Sequence, residues 1–203
     1  MAKKESSFIN MTLTLLVITA AASFTLATVY NLTAEPIAMA REVKRKAAIG
    51  GVVPEFDRLE SRRYAPPGGG DSLEFNFAFK DNQLVGVAVS TWTNQGYSGQ
   101  ITAMVGFEPD GRIIDVVHLQ HAETPGLGDK IEKGKSDWSD QYMGLHPAMD
   151  NIGITRDNGQ IDGITAATIT SRAYSDAIQR AFDTFIANFV SKQEGAIHNE
   201  PTE

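Results

Sequence analysis

The stretch Leu73-Glu74-Phe75-Asn76-Phe77-Ala78-Phe79-Lys80 sets large apolar residues at every second position, with mostly polar residues between them. Successive side chains of a strand point to opposite faces, so this period of two predicts a β-strand with one buried face. Asp81-Asn82 turns the chain, and Leu84 to Thr91 reads as the returning strand. Ile101 to Phe107 and Arg112 to Leu119 form a second pair, joined by Glu108-Pro109-Asp110-Gly111, whose Pro and Gly suit a tight turn. Two consecutive hairpins imply an antiparallel sheet.

Beyond the sheet the period lengthens. A short helix is predicted at Lys130 to Lys135, and a long one is marked by Ala173, Tyr174, Ala177, Ile178, Ala181, Phe182, Phe185, Ile186 and Phe189. Their three- and four-residue spacing makes an apolar stripe that has to pack on something. Strands in sequence followed by helices covering one face of the sheet define an α+β fold. The polar segment from Ser191 onward is expected to be a flexible tail.

Upstream, Phe8 to Val29 is an unbroken apolar and uncharged run. As a helix of roughly 22 residues it would be about 33 Å long, enough to cross a bilayer. A cleavable signal peptide would have a shorter apolar region and a small-residue cleavage site, so an uncleaved anchor is the better reading. Thr19, Ser23 and Ala27 form a small-residue ridge along one face, which either admits a partner helix or simply reflects an Ala- and Thr-rich segment. Lys3 and Lys4 precede the span, whereas Arg41, Lys44, Arg45 and Lys46 follow it, so charge alone leaves the orientation open. Pro36 is expected to open a second, stalk helix ending near Gly50-Gly51, and Pro66-Pro67-Gly68-Gly69-Gly70 to form a loop. The predicted organisation is a short N-terminus (1–7), a transmembrane helix (8–29), a stalk helix and linker (30–65), a sheet-and-helix domain (66–190) and a polar tail (191–203).

Composition narrows the function. The chain has 203 residues, 42% hydrophobic and 21% charged, with a net charge of −7. Lys3, Lys4 and Glu5 together carry +1, which leaves the remainder at −8. An acidic body is a poor partner for nucleic acid, whose binding depends on cations that neutralise phosphates. Cysteine is absent, which excludes disulfides, thiolate metal sites and Cys-attached haem. Dinucleotide-loop, Walker and serine-hydrolase signatures are missing as well. His118 and His121, three apart on a strand, would face opposite sides, so no shared metal site is expected.

Three short motifs remain. In Asp162-Gly163-Ile164-Thr165-Ala166-Ala167-Thr168-Ile169-Thr170-Ser171, small and hydroxylated residues lead into the long helix, whose N-terminus favours anions and phosphate in particular. Thr170 and Ser171 read as helix caps. Thr168 and the alanines before it leave a clearing in which a bulky group could lie, with a hydroxyl able to form an ester. In Glu123-Thr124-Pro125-Gly126-Leu127-Gly128, Pro and Gly fit a type II turn with positive φ at Gly126. That turn is either purely structural or a rigid loop suited to a flat ring. Gly96-Tyr97-Ser98-Gly99 joins two strands and either brings Tyr97 to a ligand or merely turns the chain.

Taken in order with the N-terminal anchor, these motifs resemble the FMN-binding subunits of membrane ion-pumping redox complexes. The similarity is to the G subunit of the Rnf electron transport complex and, as an alternative, to the related C subunit of the sodium-pumping NADH:quinone reductase. A membrane-anchored binding or scaffold protein without a redox role is the other alternative. The resemblance implies an FMN-binding domain with FMN joined through its phosphate to Thr168 by a dedicated flavin transferase that uses FAD. It implies a cofactor site of Tyr97, Glu123, Thr124, Leu127, Gly128, Asp162, Thr165, Ala166, Ala167, Thr168 and Ile169. No side chain is an obvious catalytic acid or base, so the implied role is an electron relay among other membrane and peripheral subunits. The flavin domain would lie outside the cytoplasm of a bacterial cell, behind a single inner-membrane span. Ala166 stands where the family usually has Gly, and the expectation is that this position does not need a positive φ.

Overall fold

The computed structural model describes residues 7–190; the tail from Ser191 and the first six residues lie outside the described range. It divides into two compact units, one through Val43 and one from Lys44 onward.

The first unit is helical. Helix α1 runs over Phe8–Val52 without a break, so Pro36 lies inside one helix and opens no second one. A proline there costs the Leu32 carbonyl its usual donor, but the flanking Ala34, Glu35, Ala38, Met39 and Ala40 are mostly good helix formers. Phe8, Met11, Leu13, Val17 and Ile18, which between them point to all sides of the helix, are exposed, as lipid-facing residues are. The hydroxyls of Thr12, Thr14, Thr25 and Thr28 donate to carbonyls four residues back, so each is satisfied within the helix itself.

The second unit is built on five antiparallel strands in sequential order: β1 (Arg58–Tyr64), β2 (Leu73–Lys80), β3 (Gln83–Gly96), β4 (Gly99–Phe107) and β5 (Ile113–Gln120). The last four match the sequence expectation. Strand β1 does not: it falls in the segment read as linker, because Arg-Leu-Glu-Ser-Arg-Arg-Tyr shows no apolar alternation. As an edge strand it is largely exposed on both faces, and it is held by its ladder to β2.

Helix α2 (Thr168–Phe185) covers one face of the sheet and continues into a wider π turn at Ile186–Val190. Its stripe packs on Phe75, Phe77, Val89, Ile101, Val105 and Phe107, and Phe189 completes the contact by lying against Phe77 and Phe185. The Thr91 hydroxyl donates to the Ala177 carbonyl at 2.8 Å, pinning the helix to the centre of β3.

The sequence pattern predicts a strand with one buried face, and the structure covers the other face of the sheet as well. Ala48, Ile49, Val52 and Val53, at and just beyond the end of α1, pack on Ala78, Ala88 and Met104. This explains why Asn76 and Ala78, the small members of the alternating stretch, are buried. Gly106 makes the approach possible, since a Cβ built there would lie 1.7 Å from the Val52 carbonyl oxygen. The compact unit that holds the sheet begins at Lys44 and includes β1.

Between β5 and α2 the chain forms short 3₁₀ turns at Gly128–Ile131, Trp138–Tyr142 and Thr155–Asp157. The first begins two residues before the short helix expected at Lys130. Trp138, Tyr142 and Tyr174 pack edge to face, and the Trp138 indole N–H donates to the Asp162 carbonyl. The segment entering α2 is thereby fastened to the core.

Candidate functional site

A cavity of about 450 Å³ opens where three turns meet. Tyr97 comes from the β3–β4 turn; Glu123, Thr124, Leu127 and Gly128 come from the loop after β5; Ala166, Ala167, Thr168, Ile169 and Thr170 come from the start of α2. Nine of the residues singled out in the sequence thus share one wall. Asp162 and Thr165 are exposed nearby and do not line it. The Asp162 backbone N–H donates to Gln141 Oε1 at 2.8 Å, so Asp162 helps anchor the segment entering the helix.

The Thr124–Leu127 turn closes as expected: Gly126 has φ +78°, and the Leu127 N–H donates to the Thr124 carbonyl at 3.2 Å. The hairpin turn between Gly96 and Gly99 leaves Tyr97 projecting, 69% exposed.

The helix start differs from the sequence reading. Thr168 is the first residue of α2, and its N-cap is Ala167, which makes no side-chain capping bond. The first intrahelical donor is Ser171, bonded to the Ala167 carbonyl at 3.0 Å. The N–H groups of Thr168, Ile169 and Thr170 are therefore left to the cavity end of the helix, as at any helix N-terminus. Thr170 and Ser171 are inside the helix and do not cap it. Ser171 Oγ accepts from the Ile164 N–H at 2.9 Å and donates to the Ala167 carbonyl at 3.1 Å, which folds the preceding loop back on the first turn. Thr170 Oγ1 donates to Glu123 Oε2 at 2.6 Å. That contact was not legible in the sequence, where Thr170 signalled only a cap.

Glu123 joins all three parts of the wall. Buried to 4% exposure, it accepts the Thr170 hydroxyl on one oxygen and the Ser98 N–H, at 3.0 Å, on the other. Gly96 and Gly128 flank it so closely that a Cβ on either would lie within 2.8–2.9 Å of a carboxylate oxygen.

Ala166 overturns an expectation. Its φ is +63°, so the position does require the left-handed conformation that glycine adopts freely. The strain sits directly before the helix, where the chain reverses to expose the first-turn N–H groups.

His118 and His121 overturn another. Strand β5 ends at Gln120, so His121 lies beyond the pleat, and the two rings come to 5.4 Å between centroids, with Glu132 beside both. The Lys44 ammonium lies 2.9 Å from His118 Nε2 and also donates to the Leu119 carbonyl. His121 Nδ1 accepts the Glu123 N–H at 3.1 Å, which leaves Nε2 to donate to Glu132 Oε1 at 3.0 Å. The cation that meets His118 is thus a lysine of the same chain, and His121 serves to orient the loop that carries Glu123. Burial, reinforced by Lys44, lowers the His118 pKa to about 4.

The family model of the FMN-binding domain matches residues 96–183. The chain is 41% identical over 107 residues to the G subunit of the ion-translocating oxidoreductase complex of Shewanella piezotolerans, an alignment covering 51% of this chain and 50% of that protein. It therefore spans about half the length of that relative. Against the protein of the same name from Yersinia pestis it is 35% identical over 182 residues, covering 83% of this chain and 86% of the other. The crystal structure of Shewanella oneidensis NqrC aligns with a TM-score of 0.49 and 21% identity over 66% of this chain and 69% of that one.

Two outcomes are expected from this geometry. Ala166→Gly should stabilise the protein by about 0.5–1 kcal/mol, the relief of left-handed strain less the added freedom of glycine; a lower denaturation midpoint for the variant would contradict the strain. His118 makes no pH-linked contribution above about pH 6.5, where it is neutral folded and unfolded. As pH falls toward 4, the unfolded chain takes up a proton that the folded chain resists, so roughly 2–3 kcal/mol, less whatever solvent screens on its open side, should be lost in that window. Denaturation at pH 7 and pH 4.5 should show a smaller drop for His118→Asn than for the wild type, and equal drops would count against the assignment.

Proposed function

Because the chain belongs to the family of G subunits of ion-translocating oxidoreductase complexes, we propose that it is a membrane-anchored flavoprotein that relays electrons within an Rnf-type complex. Residues 96–183 form an FMN-binding domain. The observation that carries the reading is the cavity at the start of α2. It has a volume within the range of small-molecule sites, a helix N-terminus without a side-chain cap, and the Thr168 hydroxyl on its wall.

FMN suits this donor set. The first-turn N–H groups and the positive end of the helix dipole would receive its phosphate. Tyr97, Thr124 and Leu127, exposed at the rim, would lie beside the ring. Thr168 Oγ would be the attachment atom: its oxygen bonds to the FMN phosphorus of FAD, the pyrophosphate bond breaks, AMP leaves, and the hydroxyl proton goes to solvent. A flavin transferase would perform that step, with exposed Asp162 and Thr165 accessible to it. When bound, FMN supplies the electron chemistry, and the protein contributes position and field. A covalent link also keeps the cofactor from being lost by dilution.

The exposed apolar length of α1 supports a single membrane span, and the family resemblance supports an extracytoplasmic position for the flavin domain as part of this proposal. The ion-pumping neighbours would be membrane and peripheral subunits of the same complex.

When the chain is produced with a flavin transferase, its mass should rise by one FMN less water. Thr168→Val should abolish the gain, and an unchanged adduct on the variant would rule out this attachment atom. For orientation, a reporter enzyme active only outside the cytoplasm, fused after Glu203, should be active; an inactive fusion that turns active when the reporter is a cytoplasmic one would reverse the topology.

A further inference from the structure

Glu123 carries the only charge on the cavity wall among the described residues. Both of its oxygens act as acceptors, one for the Ser98 N–H and one for the Thr170 hydroxyl, as those of an ionised carboxylate do. Both donors are neutral. Among the described residues, no lysine or arginine forms an ion pair with it. Its neighbour His121 turns an acceptor nitrogen toward the Glu123 backbone, so it adds no donor to the carboxylate. Gly96 and Gly128 are small enough for the chain to close around the group and keep it 4% exposed. A glutamine would fill the same space and could keep both contacts, with the Thr170 hydroxyl accepting instead of donating. What the glutamate alone supplies is an unneutralised negative charge, screened by little water.

We infer that the Glu123 carboxylate sets the redox poise of the cavity, holding the midpoint potential of a flavin bound there below the value it would have beside a neutral wall. This rests on the FMN reading above. Reduction adds negative charge, and a fixed negative charge in a poorly screened site raises the energy of the reduced form relative to the oxidised one. The Thr170 hydroxyl tempers the effect, because a hydrogen bond to a carboxylate spreads its charge. Thr170 is accordingly a positioning residue that acts through Glu123.

The two residues make opposite predictions. The full-length protein, produced with a flavin transferase and held in detergent, is titrated by visible absorption against a graded potential. Glu123→Gln should shift the midpoint upward. Thr170→Val, which removes a hydrogen bond but leaves the charge, should shift it downward. Glu123→Asp, which keeps the charge, should stay closer to the wild type than Glu123→Gln does. A mere packing defect would move the first two variants the same way, and that result, or an unmoved potential in Glu123→Gln, overturns the inference. A wild-type chain that carries no flavin brings down the functional reading itself, and this inference with it.

Discussion

The packing of the α2 stripe against the phenylalanine-rich face of the sheet is the contact on which the remaining geometry depends. Phe182 and Phe185 lie on Phe107, Tyr174 joins Trp138 and Tyr142, and Thr91 fixes the helix to the centre of β3. Each fully buried aromatic or aliphatic side chain contributes on the order of 1.5–3 kcal/mol, so the helix has little freedom to slide. With its axis held, its N-terminus can only overhang the β3–β4 turn, and the cavity lies at that overhang.

The wall of the cavity needs a separate fastening, because turns bury too little apolar surface to hold themselves. Glu123 provides it by accepting donors from the hairpin turn and from the helix while its own backbone is oriented by His121. Ser171 and Trp138 secure the approach to the helix from the other side. Binding groups carried on loops but braced from a rigid core are the usual arrangement for sites of this kind.

The second face of the sheet holds the last turns of α1. Ala78, Ala88 and Gly106 are small where Ala48, Ile49 and Val52 arrive, so backbones meet closely and the two elements seat without large side chains between them. The exposed apolar helix fits the tethered carrier proposed above.

Local order was legible in the sequence wherever one pattern had one cause. The alternation from Leu73 to Lys80, the turn at Thr124–Leu127, the apolar stripe of α2 and the long apolar run of α1 each follow from a short-range rule about which side chain faces where. The motifs that line the cavity were visible as well, but each with a structural alternative; the family resemblance joined them into one expected site, and the fold brings nine of those residues to one wall. Only the tertiary structure decided the rest. Strand β1 has no pattern of its own and exists because β2 offers it a ladder. Asn76 and Ala78 are buried because a distant helix end covers them. Ala166 is left-handed because the loop must reverse between Ile164 and the first helical turn, whatever residue stands there. Thr170 meets Glu123, and His118 meets His121, across sequence gaps or strand ends that no periodicity spans. A residue's neighbours along the chain set its local conformation, whereas the partner of a buried polar group is chosen by which surfaces the packed core leaves facing each other.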